Sequence, residues 1–191
     1  MPGILTTGLP QPGILTGAER TAFDTQVTGG AGPQMIAVSL AQLAASVAFF
    51  SNSLSTTPVA GTRYIASIQI DSPTTVTGIA ALIGATGGTD KFIYELHDTA
   101  GVLVATTALA GVTVGTAATW QQIAFTAPYQ AAAGRYFIAV QLNGTTARLA
   151  TFNSPISPLL TGSATGTFGT SASITPPTTY TAAVGPVAVL Y

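Results

Sequence analysis

Apolar and polar residues alternate along the chain beyond position 62, in short runs separated by turn residues. Arg63-Tyr64-Ile65-Ala66-Ser67-Ile68-Gln69-Ile70 is the first run, closed by Asp71-Ser72-Pro73. Others cover Thr75–Ile83, Lys91–His97, Val102–Thr107, Trp120–Phe125, Arg135–Leu142, Ala147–Phe152 and Pro186–Leu190. A period of two sends successive side chains to opposite faces, the pattern of a strand with one side on a core. Seven or eight strands about ten residues apart predict a mainly β domain over 62–191, a β-sandwich of jelly-roll or immunoglobulin-like type. Asp98-Thr99-Ala100-Gly101 predicts a tight hairpin turn in which Asp98 bonds the backbone ahead of Gly101. Asn153 to Pro177 reads as one long Ser/Thr/Gly/Pro loop.

The first 61 residues follow other rules. Residues 1–34 are rich in Pro and Gly and repeat Pro-Gly-Ile-Leu-Thr at positions 2–6 and 12–16. Each Ile-Leu pair (Ile4-Leu5 and Ile14-Leu15) is apolar surface that a lone segment cannot bury, so an extended attachment arm is expected. Over 35–61 the expectation is a short strand, a helix and a linker. Ser39 and Gln42 form a capping box that opens a helix at about 40–52. Leu40, Leu43, Val47, Phe50 and Leu54 follow a 3,4,3,4 spacing, a seam that packs on copies of itself or on the chain's own β-domain. Ser51 to Gly61 reads as a polar linker containing Pro58.

Composition narrows the function classes. Charged residues are 6% of the chain, the net charge is −1, and mean hydropathy is +0.51. Ala (32), Thr (32) and Gly (21) fill 85 of 191 positions, so the surface is polar through hydroxyls and amides. Little charge means little repulsion against self-association, which fits a protein built into an assembly. Five scattered basic residues speak against nucleic acid. The most apolar stretch, Met35 to Phe50, is interrupted by Ser39, Gln42 and Ser46 and is too short to span a membrane. Met1-Pro2-Gly3 has no basic n-region, so no signal peptide is expected. With no cysteine, disulfides, iron–sulfur clusters and Cys-ligated zinc are excluded.

Two segments resemble known proteins. Thr16-Gly17-Ala18-Glu19-Arg20 through Asp24-Thr25, Gly29-Gly30, Pro33-Gln34 and the Ser39–Gln42 helix start resemble the N-terminal segments of small structural proteins of tailed bacteriophages. From Tyr94 to Val140 the order is strand, Asp98-to-Gly101 turn, strand, the Trp120 strand, then Gly134-Arg135-Tyr136. That order resembles the jelly-roll modules that cap phage fibres and accompany carbohydrate-binding proteins. The resemblance implies a virion structural protein, assembled in the host cytoplasm: a capsid decoration or head-fibre protein, with a homotrimer as the expected state. Its partner would be a phage capsid or tail protein. Ile4, Leu5, Ile14 and Leu15 would bury in that partner, with Glu19, Arg20 and Asp24 fixing register.

Candidate chemistry is sparse. Glu95 and His97 share a strand face, two apart, and a carboxylate beside an imidazole can do acid–base or metal work. No second acid or Gly-x-Ser-x-Gly elbow accompanies them. The expectation is a solvated strand end, no enzymatic activity, no catalytic residue, no metal and no cofactor. Arg63, Arg135 and Arg148 are expected at solvated strand ends. Trp120, Tyr129, Tyr136 and Tyr180 are the aromatic candidates for sugar stacking, with Trp120 placed in the core and Tyr129 in a surface loop after Pro128. Tyr129 is thus the candidate ligand residue. Two alternatives stay open: a short tail fibre contacting host surface glycans, and a secreted carbohydrate-binding module.

Overall fold

In the computed structural model, residues 53–155 and 158–191 are described. The attachment residues Ile4, Leu5, Ile14, Leu15, Glu19, Arg20 and Asp24, and the seam residues Leu40, Leu43, Val47 and Phe50, lie outside that range. The described chain is mainly β, with eleven strands and no helix. They are β1 (Ser53–Thr56), β2 (Thr62–Ile70), β3 (Thr74–Leu82), β4 (Lys91–His97), β5 (Leu103–Thr106) and β6 (Val112–Thr113). Then come β7 (Trp120–Ala131), β8 (Gly134–Leu142), β9 (Leu149–Phe152), β10 (Thr161–Thr165) and β11 (Ala188–Leu190).

All paired strands run antiparallel. The largest sheet has the order β10-β2-β8-β4-β5, with β6 also on β4. A second has the order β11-β3-β7, and β1 pairs with β9. Alternation explains how they pack. Tyr136, Ile138, Val140 and Leu142 on β8 meet Phe92, Tyr94 and Leu96 on β4. The same cluster holds Ile79 and Ala81 from β3 and Ile123 and Phe125 from β7, so both large sheets share one apolar core. The opposite face of β8 is buried as well. There Phe137 and Ala139 pack with Ile65 of β2 and with Ile174, which lies beyond β10. Strands covered on both sides lose the clean hydrophobic–polar alternation, and β8 reads accordingly: every residue from Tyr136 to Leu142 is buried.

Several boundaries differ from the expectations. Leu54 lies in β1, opposite Thr151 of β9, so the helical spacing does not reach it. The segment expected as a polar linker therefore contributes a strand, and the β-rich unit starts before residue 62. The long loop expected over 153–177 contains β10, which pairs with β2 from Thr161↔Ala66 to Thr165↔Thr62. Thr-Gly-Ser-Ala-Thr carries no apolar alternation because its side chains do not build the main core.

Tyr129 is not in a loop but near the end of β7. The register of β3 with β7 jumps from Val76↔Tyr129 to Gly78↔Ala124, so Phe125 to Pro128 bulge out of the ladder. Pro128 has no N–H to give, and a bulge is where a strand tolerates it. The strand thus resumes after a Pro that, in sequence, looks like its end.

Candidate functional site

The expectation that Glu95 and His97 sit at a solvated strand end is overturned: both are buried at 0% exposure. They do share a face of β4, and it is the face turned away from the main core. Register places Ala139 of β8 opposite Glu95 and Gln141 opposite Ile93, while Gln141 also stands opposite Arg63 of β2. One polar cluster results. Arg63 Nε donates to Glu95 Oε2 at 2.9 Å, and Gln141 Nε2 donates to Glu95 Oε1 at 3.0 Å. His97 Nε2 lies 3.4 Å from Glu95 Oε2, within reach of donating to it. Among the described residues, His97 Nδ1 and Gln141 Oε1 have no hydrogen-bond partner.

What covers this cluster is the chain after β10. Arg63 donates from Nη1 to the Thr165 carbonyl (3.2 Å) and from Nη2 to the Thr170 carbonyl (3.1 Å). Gln141 Nε2 also reaches the Thr170 carbonyl at 3.3 Å. Ile174 then packs on Ile65 and Phe137, and its N–H bonds the Gly101 carbonyl. Residues 166–174 thus form a strap over the outer face of the large sheet, fastened by one buried ion pair. Arg63 is therefore not the solvated strand end the sequence suggested. Glu95 and His97 are closed off from solvent by this cover.

The remaining acids of this region serve the backbone. Asp98 Oδ1 accepts from the N–H of Ala100 and of Val102, both at 2.9 Å, the turn chemistry read from sequence. Asp90 Oδ2 accepts from Thr146 and Ala147 N–H at 2.8 Å, which ties the β8–β9 connection to the start of β4. Among the described residues no three His, Cys, Asp or Glu side chains gather as a metal site.

The aromatic candidates separate into two pairs. Tyr129 and Tyr136 stand edge to face, centroids 6.2 Å apart. Burial, then the neighbouring Tyr136 phenol, pushes the Tyr129 hydroxyl above its ordinary range. Trp120 is half-buried rather than a core residue, and both it and Tyr180 pack against the cluster of Leu82, Ala150, Phe152 and Val187. Tyr180 donates from its hydroxyl to the Phe152 carbonyl at 3.0 Å. Gln141, Gln122 and Tyr191 escaped the sequence reading. The signal for Gln141 was present: an amide two positions from Ala139 on a strand otherwise apolar from Tyr136 to Leu142 is a polar group that must find partners inside.

Comparison with protein-family models, with curated proteins and with solved structures finds no match for this chain. Among the described residues no helix is long and apolar enough to cross a membrane.

Proposed function

We propose that the chain is a structural and adhesive protein of a tailed-bacteriophage particle, a capsid decoration or head-fibre protein whose N-terminal arm attaches it and whose β-sandwich projects outward. The observation that carries this reading is the use made of the ionisable groups. Glu95, His97 and Arg63 lie inside, where Glu95 holds Arg63 and Arg63 holds the strap, and Asp90 and Asp98 hold loops. A domain whose charged groups organise its own backbone has the character of a scaffold rather than a catalyst.

The strand order supports the jelly-roll part. A jelly roll sets eight strands, lettered B to I along the chain, in two sheets ordered B-I-D-G and C-H-E-F. Here β2-β8-β4-β5 faces β3-β7. With β2, β3 and β4 as B, C and D, and β5, β7 and β8 as G, H and I, six of the eight positions are filled in order. The E–F pair is replaced by the Asp98 turn that joins β4 directly to β5. This order is what supports reading the fold as a shortened jelly roll with β10 and β11 added at its edges.

Attachment rests on Ile4, Leu5, Ile14 and Leu15 burying in a capsid or tail protein, and on Glu19, Arg20 and Asp24 fixing register through charge-assisted hydrogen bonds. The test is the solution mass of the full chain beside a chain starting at Phe49, where the compact unit Phe49–Tyr191 begins. A trimer that becomes a monomer on truncation is the expected result. The same number of copies in both would end the role given to Leu40, Leu43 and Val47 of the seam.

A further inference from the structure

The sheet β11-β3-β7 turns one face to the main core and the other away from it. Register fixes which residues share the outer face: Leu82 stands beside Trp120, Ala80 beside Gln122, and Gly78 beside Ala124. On the other side Val189 stands beside Ala80. Tyr191 bonds Gly78 in both directions, its N–H to the Gly78 carbonyl at 3.2 Å and its carbonyl from the Gly78 N–H at 3.3 Å. The chain neighbours Ile79, Ala81, Ile123 and Leu190 belong to the main core, so by alternation this set lies on the other side of the sheet. There Ala80 and Leu82 are buried, Leu82 under the cluster of Phe152 and Val187, and Gln122, Ala124 and Tyr191 are the exposed members. The face has three rungs: Leu82 and Trp120; then Ala80, Gln122 and Val189; then Gly78, Ala124 and Tyr191.

Gly78 is what shapes the last rung. A Cβ there would meet the phenol of Tyr191 and would lie 2.6 Å from the Ile123 carbonyl. Without that Cβ the Tyr191 ring lies down across the sheet, and Tyr191 stays 39% exposed. Trp120 is half-buried at the first rung, while Gln122 and Ala124 are exposed. Trp120 stands on β7 and Tyr191 just past β11 at the opposite edge, four residues along and two strands across, so at roughly 3.3 Å per residue and 4.8 Å per strand their anchors are about 16 Å apart. Between them lie small side chains and one amide, and no residue of the face is charged.

We propose that this face binds a neutral oligosaccharide laid obliquely across the sheet, from Trp120 on β7 to Tyr191 beside β3. Trp120 and Tyr191 stack on the apolar C–H faces of two sugar rings, and the Gln122 amide bonds the hydroxyls between them. Large, partly exposed aromatic faces beside a single amide are the elements of a polar-neutral ligand site. A ladder-fixed backbone holds them without an ordering cost on binding. The uncharged face selects a neutral ligand over an anionic one. A second copy of the chain is the poorer occupant, since a stable interface takes about 20–30 residues a side and this face offers eight, several of them small. The inference does not need the particle reading: it concerns the β-domain alone.

Trp120 is the single tryptophan of the chain, so its emission reports on the site. The full chain is titrated with cellohexaose, chitohexaose and maltohexaose, following fluorescence and heat of binding. At least one sugar is expected to saturate with Kd between about 10 µM and 1 mM. Gln122→Ala, at an exposed position, should weaken it about tenfold, and Tyr191→Ala at least as much. Thr126→Ala, outside the three rungs, should leave it unchanged. No response to any of the three, or affinity kept within about twofold in both face variants, overturns the proposal. A lower solution mass in Gln122→Arg would mark the face as a contact between copies and overturn it equally.

Discussion

At Glu95 three side chains from three strands converge on one carboxylate, and two of them, Arg63 and Gln141, also reach the strap. A buried charge left without its partner costs far more than the pair contributes in place. Arg63→Ala should therefore destabilise the domain by about 3–5 kcal/mol. Replacing Arg63 and Glu95 together by Met and Leu should recover most of that loss. Urea unfolding of the single and double variants checks both, and a single-variant loss below about 1 kcal/mol would mean the pair is dispensable. The sequence told that Glu95 and His97 share a face. It could not tell that the face is covered, because the cover is a Thr/Gly/Ser segment more than seventy positions downstream, with Ile174 as its main apolar anchor.

Tyr94 makes a second residue-scale argument, in the alkaline range. Its ring is fully buried, and burial first, then the charge of Tyr191, pushes its hydroxyl far above the ordinary tyrosine value. Tyr129, Tyr180 and Tyr191 move in the same direction, with burial as the largest cause. The folded state thus holds phenolic protons that the unfolded chain gives up near pH 10. Stability from these groups is complete below that pH and is lost as pH rises above it. For Tyr94 the loss approaches about 1.4 kcal/mol per pH unit. Tyr94→Phe should lose little at pH 7, since its hydroxyl makes only a 3.5 Å bond to the Gln121 carbonyl. It should flatten the alkaline decline of the melting temperature, and an unchanged decline would assign that decline elsewhere.

Among the elements, the strands of the main core were legible, as were the edge strands β5 and β11, and the short pieces β1, β6 and β10 were not. The expected runs at 63–70, 75–83, 91–97 and 135–142 match β2, β3, β4 and β8 within one residue. These strands bury large alternating side chains, so packing leaves its mark on the sequence. β1, β6 and β10 are held by backbone pairing and hydroxyls instead, as in the 2.6 Å bond between Thr56 and Thr151. Tyr129 was misplaced because Ala127-Pro128 looks like a strand end when it is the crest of a bulge. The turn at Asp98 was legible because its chemistry is local, and it also carries a prediction. Gly101 sits at φ +82°, where its N–H bonds Asp98 and its carbonyl accepts from Ile174. A Cβ there would meet the Ile174 carbonyl and Pro176. Gly101→Ala should cost about 1–2 kcal/mol from the left-handed backbone alone. It should also loosen the strap, so hydrogen exchange should speed at Ile174 while amides of β8 stay protected.

For the whole molecule, the scarcity of charge is the property that reaches furthest. With eleven formal charges on 191 residues, and Arg63 and Glu95 spent on each other inside, little is left for a surface field. Any association of copies must then come from apolar burial and backbone pairing rather than from ion pairs. Surface ion pairs weaken as the Debye length falls from roughly 14 to 4 Å between about 0.05 and 0.5 M salt. Apolar contacts do not, and excluded salts such as sulfate strengthen them. If the Ile4-Leu5 and Ile14-Leu15 pairs and the Leu40–Phe50 seam drive assembly, the dissociation constant of the full chain should change less than about threefold over that range of sodium chloride. It should tighten in ammonium sulfate. Sedimentation at the three conditions measures this. A steep weakening with salt would shift the assembly from the apolar pairs to Glu19, Arg20 and Asp24, the densest charges of the first 60 residues.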